Sequence, residues 1–397
     1  MFESHSSTKV YFYCCPSGFA DQQAYQHPLV CIAEGLQQLG IEFYSDVNYW
    51  HLTPDTEDYL FNHNPNITPD DCSIVIIDTE WVTNGKPLPE GLFKPNRNYL
   101  TAYFELHELT HSIKPEFRNF DFIFRGYYNK RFSYPSNVYP WAFGLSKRIL
   151  RETQIIPDFT DREKTIMVNF RHSQKYMHSV RKCVLNDFIN RIEHLLKIDN
   201  SIDAPDAQLT NPYHYMQWVQ TGKRHYSSYY KRLSQSVACA CFGGFFITPF
   251  PKKQRSPLSR LLKRLISKWG LRTNTVEQWD SWRFWEALAA GTVAFHIDLE
   301  KYGAVLPVMP TNWKHYIGID FDNVEAAIAR ITAEPELLEK IAAAGREWVL
   351  EHYSPVPTAL RFLATVGCPV PPECTSQSTE QPATSLNAAS YSKEKEL

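Results

Sequence analysis

Four residues with ionisable or hydroxyl side chains crowd the start of one short stretch: Asp280, Ser281, Arg283 and Glu286, in WDSWRFWEALAAG from Trp279 to Gly291. The run from Ala287 to Ala290 favours a helix, and Gly291 suits its end, where a left-handed residue is often needed. Thr292 to Ile297 then reads as a buried strand. A helix N-terminus presents unpaired N–H groups and partial positive charge, which suits a phosphate. Arg283 and Glu286 are three apart and share a helix face. An arginine grips a diphosphate bidentately, and a glutamate accepts from the two hydroxyls of a ribose. The stretch thus holds the parts of a nucleoside diphosphate site; the alternative is an ordinary helix with a surface ion pair.

Two other motifs point elsewhere. His107-Glu108-Leu109-Thr110-His111 satisfies H-E-x-x-H, which on a helix binds zinc with the glutamate as general base. Pro115 follows closely, Glu105 puts a charge in the lead-in, and no third ligand is signalled. A polar rim at the carboxyl end of a strand is the alternative. Asp320-Phe321-Asp322 is a D-x-D directly before a helix. Asp322 with Glu325 reads as a capping arrangement, so no metal is expected there.

The elements that must position these residues fall into two α/β halves. Lys9–Cys15, Ile41–Tyr44, Ser73–Asp78, Tyr99–Phe104 and Phe122–Arg125 read as strands, with Leu29, Ile32, Ala33, Leu36 and Leu39 on one helix face. Strand, turn, helix and strand in this order open a parallel sheet. Residues 1–155 form the expected first domain, and Ile155–Arg162 a polar linker. Thr165–Phe170 opens a second domain over 164–365, with a helix over Lys182–Leu196, strands at Val237–Cys241 and Thr292–Ile297, and late amphipathic helices. Residues 366–397 are too poor in apolar side chains to fold alone.

Composition narrows the function classes. At 397 residues, 43% hydrophobic and net charge −2, the chain is globular and carries no overall basic field, which argues against nucleic acid. Nine cysteines lack a metal-type C-x-x-C, as expected in a reduced, cytoplasmic compartment. MFESHSSTK has no secretory pattern, and the apolar run Val237–Ile247 is too short to span a bilayer. One segment breaks the charge balance. Residues 251–272 place Leu258, Leu261, Leu262, Leu265, Ile266 and Trp269 on one helical face among basic residues only. Such a helix can lie on an anionic membrane, here the inner face; the alternative is packing on its own domain.

SWRFWEALAAGTVAF, LLEKIAAAGREWVLEHYSP and YKRLSQSVACACFGG together resemble the nucleotide-sugar-binding half of GT-B glycosyltransferases, especially exostosin-like and related bacterial members. The resemblance covers roughly residues 160–365. It implies two facing Rossmann-like domains with parallel sheets, a site between them, and a last helix that returns to the first domain. It implies that Glu286 holds the donor ribose, with Asp280, Ser281 and Arg283 as neighbours and Arg171 and Arg181 on the diphosphate. No cofactor is implied beyond the nucleotide-sugar substrate, and the acceptor is a glycan, a lipid-linked glycan or a small molecule. Retaining members often carry paired glutamates; eight residues after Glu286 stands Ala294, which favours inversion. Inversion needs a general base on the acceptor side, for which Asp21 and His27, the latter also readable as a helix-start histidine, are the candidates. A non-catalytic sugar or nucleotide binder of the same fold is the second reading, and a zinc protease using His107, Glu108 and His111 the third.

Overall fold

The structure, a computed structural model, describes residues 8–16, 25–54, 56–106, 115–170, 179–201, 211–223, 227–247 and 273–368. Asp21, Arg171, the motif from His107 to His111, the basic segment 251–272 and the tail beyond 368 lie outside the described residues.

The first sheet has six strands: β1 (Val10–Phe12), β2 (Phe43–Ser45), β5 (Ile74–Asp78), β6 (Leu100–Glu105), β7 (Phe122–Arg125) and β8 (Val138–Pro140), with β3 (Tyr49–His51) and β4 (Tyr59–Phe61) forming a separate hairpin. Its order is β2-β1-β5-β6-β7-β8, parallel throughout. IVIID of β5 is buried at every position, the continuous apolar reading of a strand covered on both faces. Helix α1 (His27–Gln38) starts with Pro28, whose missing N–H costs nothing there. Short helices α2 (Thr79–Thr83) and α3 (Lys147–Glu152) follow β5 and β8.

The second sheet is β10-β9-β11-β14-β15, again all parallel, from β9 (Glu163–Met167), β10 (Lys197–Asp199), β11 (Ser236–Ala240), β14 (Val293–Ile297) and β15 (Ile317–Ile319). A two-stranded ribbon, β12 (Phe245–Phe246) with β13 (Val276–Glu277), stands beside it. Its helices are α4 (Val180–Asp187), α5 (Pro212–Gln220), α6 (Ser227–Gln235), α7 (Trp282–Ala289), α8 (Val324–Ala333) and α9 (Leu337–Tyr353). The single helix expected over Lys182–Leu196 is instead α4 plus a 3-10 turn at Ile189–Arg191. Phe188 leaves helical geometry between them, and it buries its ring together with Ile189 and Ile192.

Helix α10 (Pro355–Val366) returns to the first domain. Ala359, Phe362, Leu363 and Val366 share one core with Val10, Phe12, Leu29 and Ile74. The approach to α1 is close enough that a Cβ on Gly35 would collide with the Pro355 carbonyl and the Ala359 side chain. Two Rossmann-like domains with a returning last helix are therefore the architecture, GT-B-like as the resemblance implies. The linker is less open than its composition suggests: Arg162 is buried and donates to the Gly291 carbonyl at 2.6 Å and to Thr292 Oγ1 at 3.3 Å.

Candidate functional site

Each sheet has one point where the chain reverses its direction of growth. From β1 the first sheet grows to β2 on one side and then to β5 on the other; from β9 the second grows to β10 and then to β11. Ligands of open α/β sheets bind outside the carboxyl ends of the strands at such points. The two carboxyl edges meet. Tyr25, after β1, stacks on Trp50 (centroids 5.2 Å apart) and on Trp282, the first residue of α7 (4.9 Å). Beyond β7, the Tyr128 carbonyl accepts from Val305 N (3.0 Å) and Trp279 Nε1 (3.2 Å), and Asn129 Nδ2 donates to the carbonyls of Val276 and Tyr302. A further clasp joins Gln220 of α5 to the backbone of His51 through both its amide atoms.

On the second domain, α7 is aimed by the loop that follows β11. Gly244 has φ +82°, and a Cβ there would strike the Glu277 carbonyl, so residues 241–244 run hard against 277–280. Ser281 is the N-cap in extended backbone, but its hydroxyl donates to the Cys241 carbonyl (3.0 Å) and does not cap its own helix. Asp280 is buried and accepts from Trp285 Nε1 (2.8 Å), Ser281 N (2.8 Å) and Phe143 N (3.4 Å). Burial pushes its carboxyl up to about 7. Both residues thus anchor the start of α7, to β11 and to the first domain. Arg283, on the first turn, is half-buried; it pairs with no carboxylate among the described residues, and its Nε has no hydrogen-bond partner. Arg181 lies over the switch point: its Nε donates to the Phe242 carbonyl (3.0 Å) and its guanidinium sits 5.4 Å from the Phe170 ring centroid.

Two expectations need correction, and of the two readings of His27 one holds. Glu286 does not share an exposed face with Arg283; it is 1% exposed. Its two oxygens accept from Tyr229 OH (2.8 Å) and Tyr230 OH (2.9 Å) of α6, since a carboxylate facing the interior must be hydrogen-bonded. Burial first, then the Glu286 charge, hold both phenols well above their usual range. His27 is fully buried, with Nδ1 2.8 Å from Tyr25 OH and Nε2 3.2 Å from the Gly144 carbonyl. The carbonyl can only accept, so Nε2 carries the proton and Nδ1 takes the phenol's. Neither nitrogen is left for an acceptor hydroxyl, and the helix-start reading of His27 holds. Asp322 does not cap α8: the N-cap is Asn323, without a side-chain cap. Lys301 Nζ instead bridges Asp320 (2.5 Å) and Asp322 (2.7 Å), and Glu325 pairs with Arg191.

Two features escaped the sequence reading. The tyrosine pair carried no signal beyond two adjacent aromatics in a polar helix. Asp78 carried one, being the acid that ends the apolar strand SIVIID.

No protein-family model and no curated protein matches the chain. Among solved structures it is similar to an alpha-glucosyltransferase in complex with UDP-glucose and abasic-site DNA, at 13% identity over 91% of this chain and 99% of that one, TM-score 0.49. It is similar also to a glycosyltransferase from Rickettsia africae (11% identity, 91% and 98% covered, TM-score 0.48). A third is the Anabaena protein HepE in complex with UDP (8% identity, 91% and 99% covered, TM-score 0.39).

Proposed function

We propose that the chain transfers a sugar from a nucleotide-sugar donor to a hydroxyl acceptor. The observation that carries this reading is the cationic switch point of the second sheet. There Arg283, unpaired with any carboxylate among the described residues, opens a helix whose N-cap hydroxyl is turned away, and Arg181 stands over the loop beside it. Negative charge develops on the departing diphosphate during transfer, and preorganised cations and N–H groups aimed at it lower the barrier. Arg171, in the segment after β9, is proposed to add to this set. Glu286, enclosed by its tyrosines, fixes α6 against α7 beneath the pocket. Asp280 and Ser281 set the angle at which α7 meets the donor.

Metal independence, a cytoplasmic location, docking of 251–272 on an anionic membrane and a carbohydrate or lipid-linked acceptor complete the proposal. Among the described residues no helix is long and apolar enough to cross a membrane. Nucleic acid is set aside on the net charge of −2 alone, and duplex DNA enters the acceptor panel as the check. The test is calorimetry with nucleoside diphosphates, followed by turnover of the corresponding nucleotide-sugars. Binding with turnover supports a transferase; binding without turnover against any acceptor or water leaves a sugar-nucleotide binder; no binding removes both.

A further inference from the structure

Asp78 ends β5 at the switch point of the first sheet, beside the end of β1. Its Oδ1 is heavily used. It accepts from Gln26 Nε2 (2.7 Å) and, as the N-cap of α2, from Glu80 N (3.1 Å) and Trp81 N (3.4 Å). Its Oδ2 is buried and has no hydrogen-bond partner, although the residue is 0% exposed. A buried carboxylate oxygen left unpaired is costly, and in a native fold it calls for an explanation, of which a catalytic role is one. Glu34 and Asp280, the other fully buried acids with raised carboxyls, leave no such oxygen, and each lies where it ties a helix start to its surroundings.

We propose that Asp78 is the acceptor-side carboxylate of the transfer, with Oδ2 receiving the proton of the attacking hydroxyl. This rests on the glycosyl-transfer reading. As the acceptor oxygen bonds to the anomeric carbon, the bond from that carbon to the diphosphate breaks. Its electron pair leaves with the diphosphate towards Arg283, and the hydroxyl proton passes to Oδ2, to be released later to water. The anomeric configuration inverts. Gln26 controls access: its Nε2 holds Oδ1 while its Oε1 accepts from Cys15 N (2.6 Å), so it closes the gap between the ends of β1 and β5, and its swing admits the hydroxyl. Among the described residues, Cys14, Cys15, Tyr49, Tyr103 and Glu80 are the titratable groups whose charge acts on or is acted on by Asp78. Burial, which the Glu80 charge reinforces, outweighs the Gln26 hydrogen bond, and the carboxyl is raised to about 7. It is poised there to take a proton near neutrality.

The experiment uses the full chain and UDP-, ADP-, GDP- and dTDP-glucose, with water as the acceptor probe. Wild type is expected to hydrolyse its preferred donor with inversion, seen by proton NMR of the released glucose, at a rate that rises through about pH 7. Asp78→Asn keeps an oxygen for Gln26 and the α2 cap. It is expected to bind the diphosphate as wild type does, lose about a hundredfold or more in turnover, and lose the pH-dependent limb. Gln26→Ala, which removes the hydrogen bond that lowers the Asp78 carboxyl, is expected to keep the rising limb and move it to higher pH. Retention of configuration, or an Asp78→Asn protein with wild-type turnover, overturns the proposal. A wild-type chain that binds no nucleoside diphosphate overturns the transferase reading instead. If Asp78→Asn unfolds, the pH profiles of wild type and Gln26→Ala decide: a flat wild-type profile, or a Gln26→Ala limb that does not move, overturns it.

Discussion

The two switch points share one topology and differ in the kind of charge they hold. At the first, the groups are acidic or internally neutralised and lie inside the protein: Asp78 is enclosed, and Glu105 at the end of β6 pairs at 3.3 Å with Arg125 at the end of β7, both buried. At the second, the groups are cations near the surface of the crevice, Arg283 half-buried and Arg181 tied to a backbone carbonyl. A carboxylate gains basicity when water is taken from it. An arginine keeps its charge in either setting and serves best where an anion can reach it. The same geometric position therefore suits proton acceptance in one domain and diphosphate binding in the other.

The largest effect belongs to Glu286, whose part in the division is to hold the second crevice in shape. Glu286→Ala leaves two buried phenol hydroxyls without their acceptor, a loss of about 2–5 kcal/mol in unfolding free energy. Denaturant titration checks this. Glu286→Gln is expected to recover part of the loss, since its oxygen still accepts from one phenol. An alanine variant as stable as wild type, yet with nucleotide binding abolished, would return Glu286 to the pocket surface and to the ribose.

Arg283 comes next. Arg283→Ala should lower affinity for the preferred nucleoside diphosphate about tenfold to a hundredfold, the worth of one charge-assisted contact of about 1.5–3 kcal/mol. Thermal stability should hardly change, because the guanidinium pairs with no carboxylate among the described residues and its Nε has no hydrogen-bond partner. The same measurement on Asp78→Asn should show no loss. Equal losses in both variants would mean that one ligand spans the two crevices and that the division by charge is wrong.

How far the sequence carried can be judged from particular residues. The central strands were legible because Ile74–Asp78 and Val293–Ile297 are apolar runs between breakers; the three-residue edge strands β8, β10 and β15 were not, and α10 followed from the resemblance. Strand ends moved by up to three residues where pairing stops before the apolar run does, as at β1, which ends at Phe12 although the run continues to Cys15. What the sequence did not disclose was the direction in which polar side chains turn. Arg283 and Glu286 have equivalent spacing on paper, yet α6 arrives on one side of α7 only and takes Glu286 inward. His27 looked available for the same reason, since neither Gly144 nor Trp282 is near it in the chain. Long-range partners decide such cases, and no local pattern encodes them.

Buried acids give a smaller, pH-dependent effect. Asp280 stands near 7 in the folded chain against an ordinary 3.8, so the folded state keeps a proton that the unfolded state has released. Its contribution to stability is greatest in acid, falls as pH rises from the ordinary range through about 7, and is level above that. Asp280→Asn removes this slope and keeps an oxygen for Trp285 Nε1 and Ser281 N. The Tm difference between about pH 5 and about pH 8 should shrink by about 2–4 °C. Asp78→Asn should flatten the slope in the same sense, because its carboxyl is raised likewise. Only Asp78→Asn should also change donor turnover by loss of a proton acceptor.

The smallest effect concerns an acidic pair at the carboxyl edge of the second sheet. Asp320 follows β15 directly, so Asp320 and Asp322 would contradict a wholly cationic crevice if they stood free. Lys301 neutralises them from the turn after β14, with Nζ within 2.7 Å of both carboxylates. The cluster is partly exposed, and an exposed pair is worth about 0.2–1 kcal/mol, so Lys301→Ala should cost little in denaturant titration. Its informative readout is metal. With the lysine removed, two carboxylates one residue apart gain room for a divalent ion. If they lie outside the donor pocket, manganese or magnesium should leave nucleoside diphosphate affinity unchanged in wild type and variant alike. A variant whose affinity becomes metal-dependent would place Asp320 and Asp322 beside the diphosphate, with Lys301 as the resident cation in a metal's position, and would move the centre of the donor crevice from α7 towards β15.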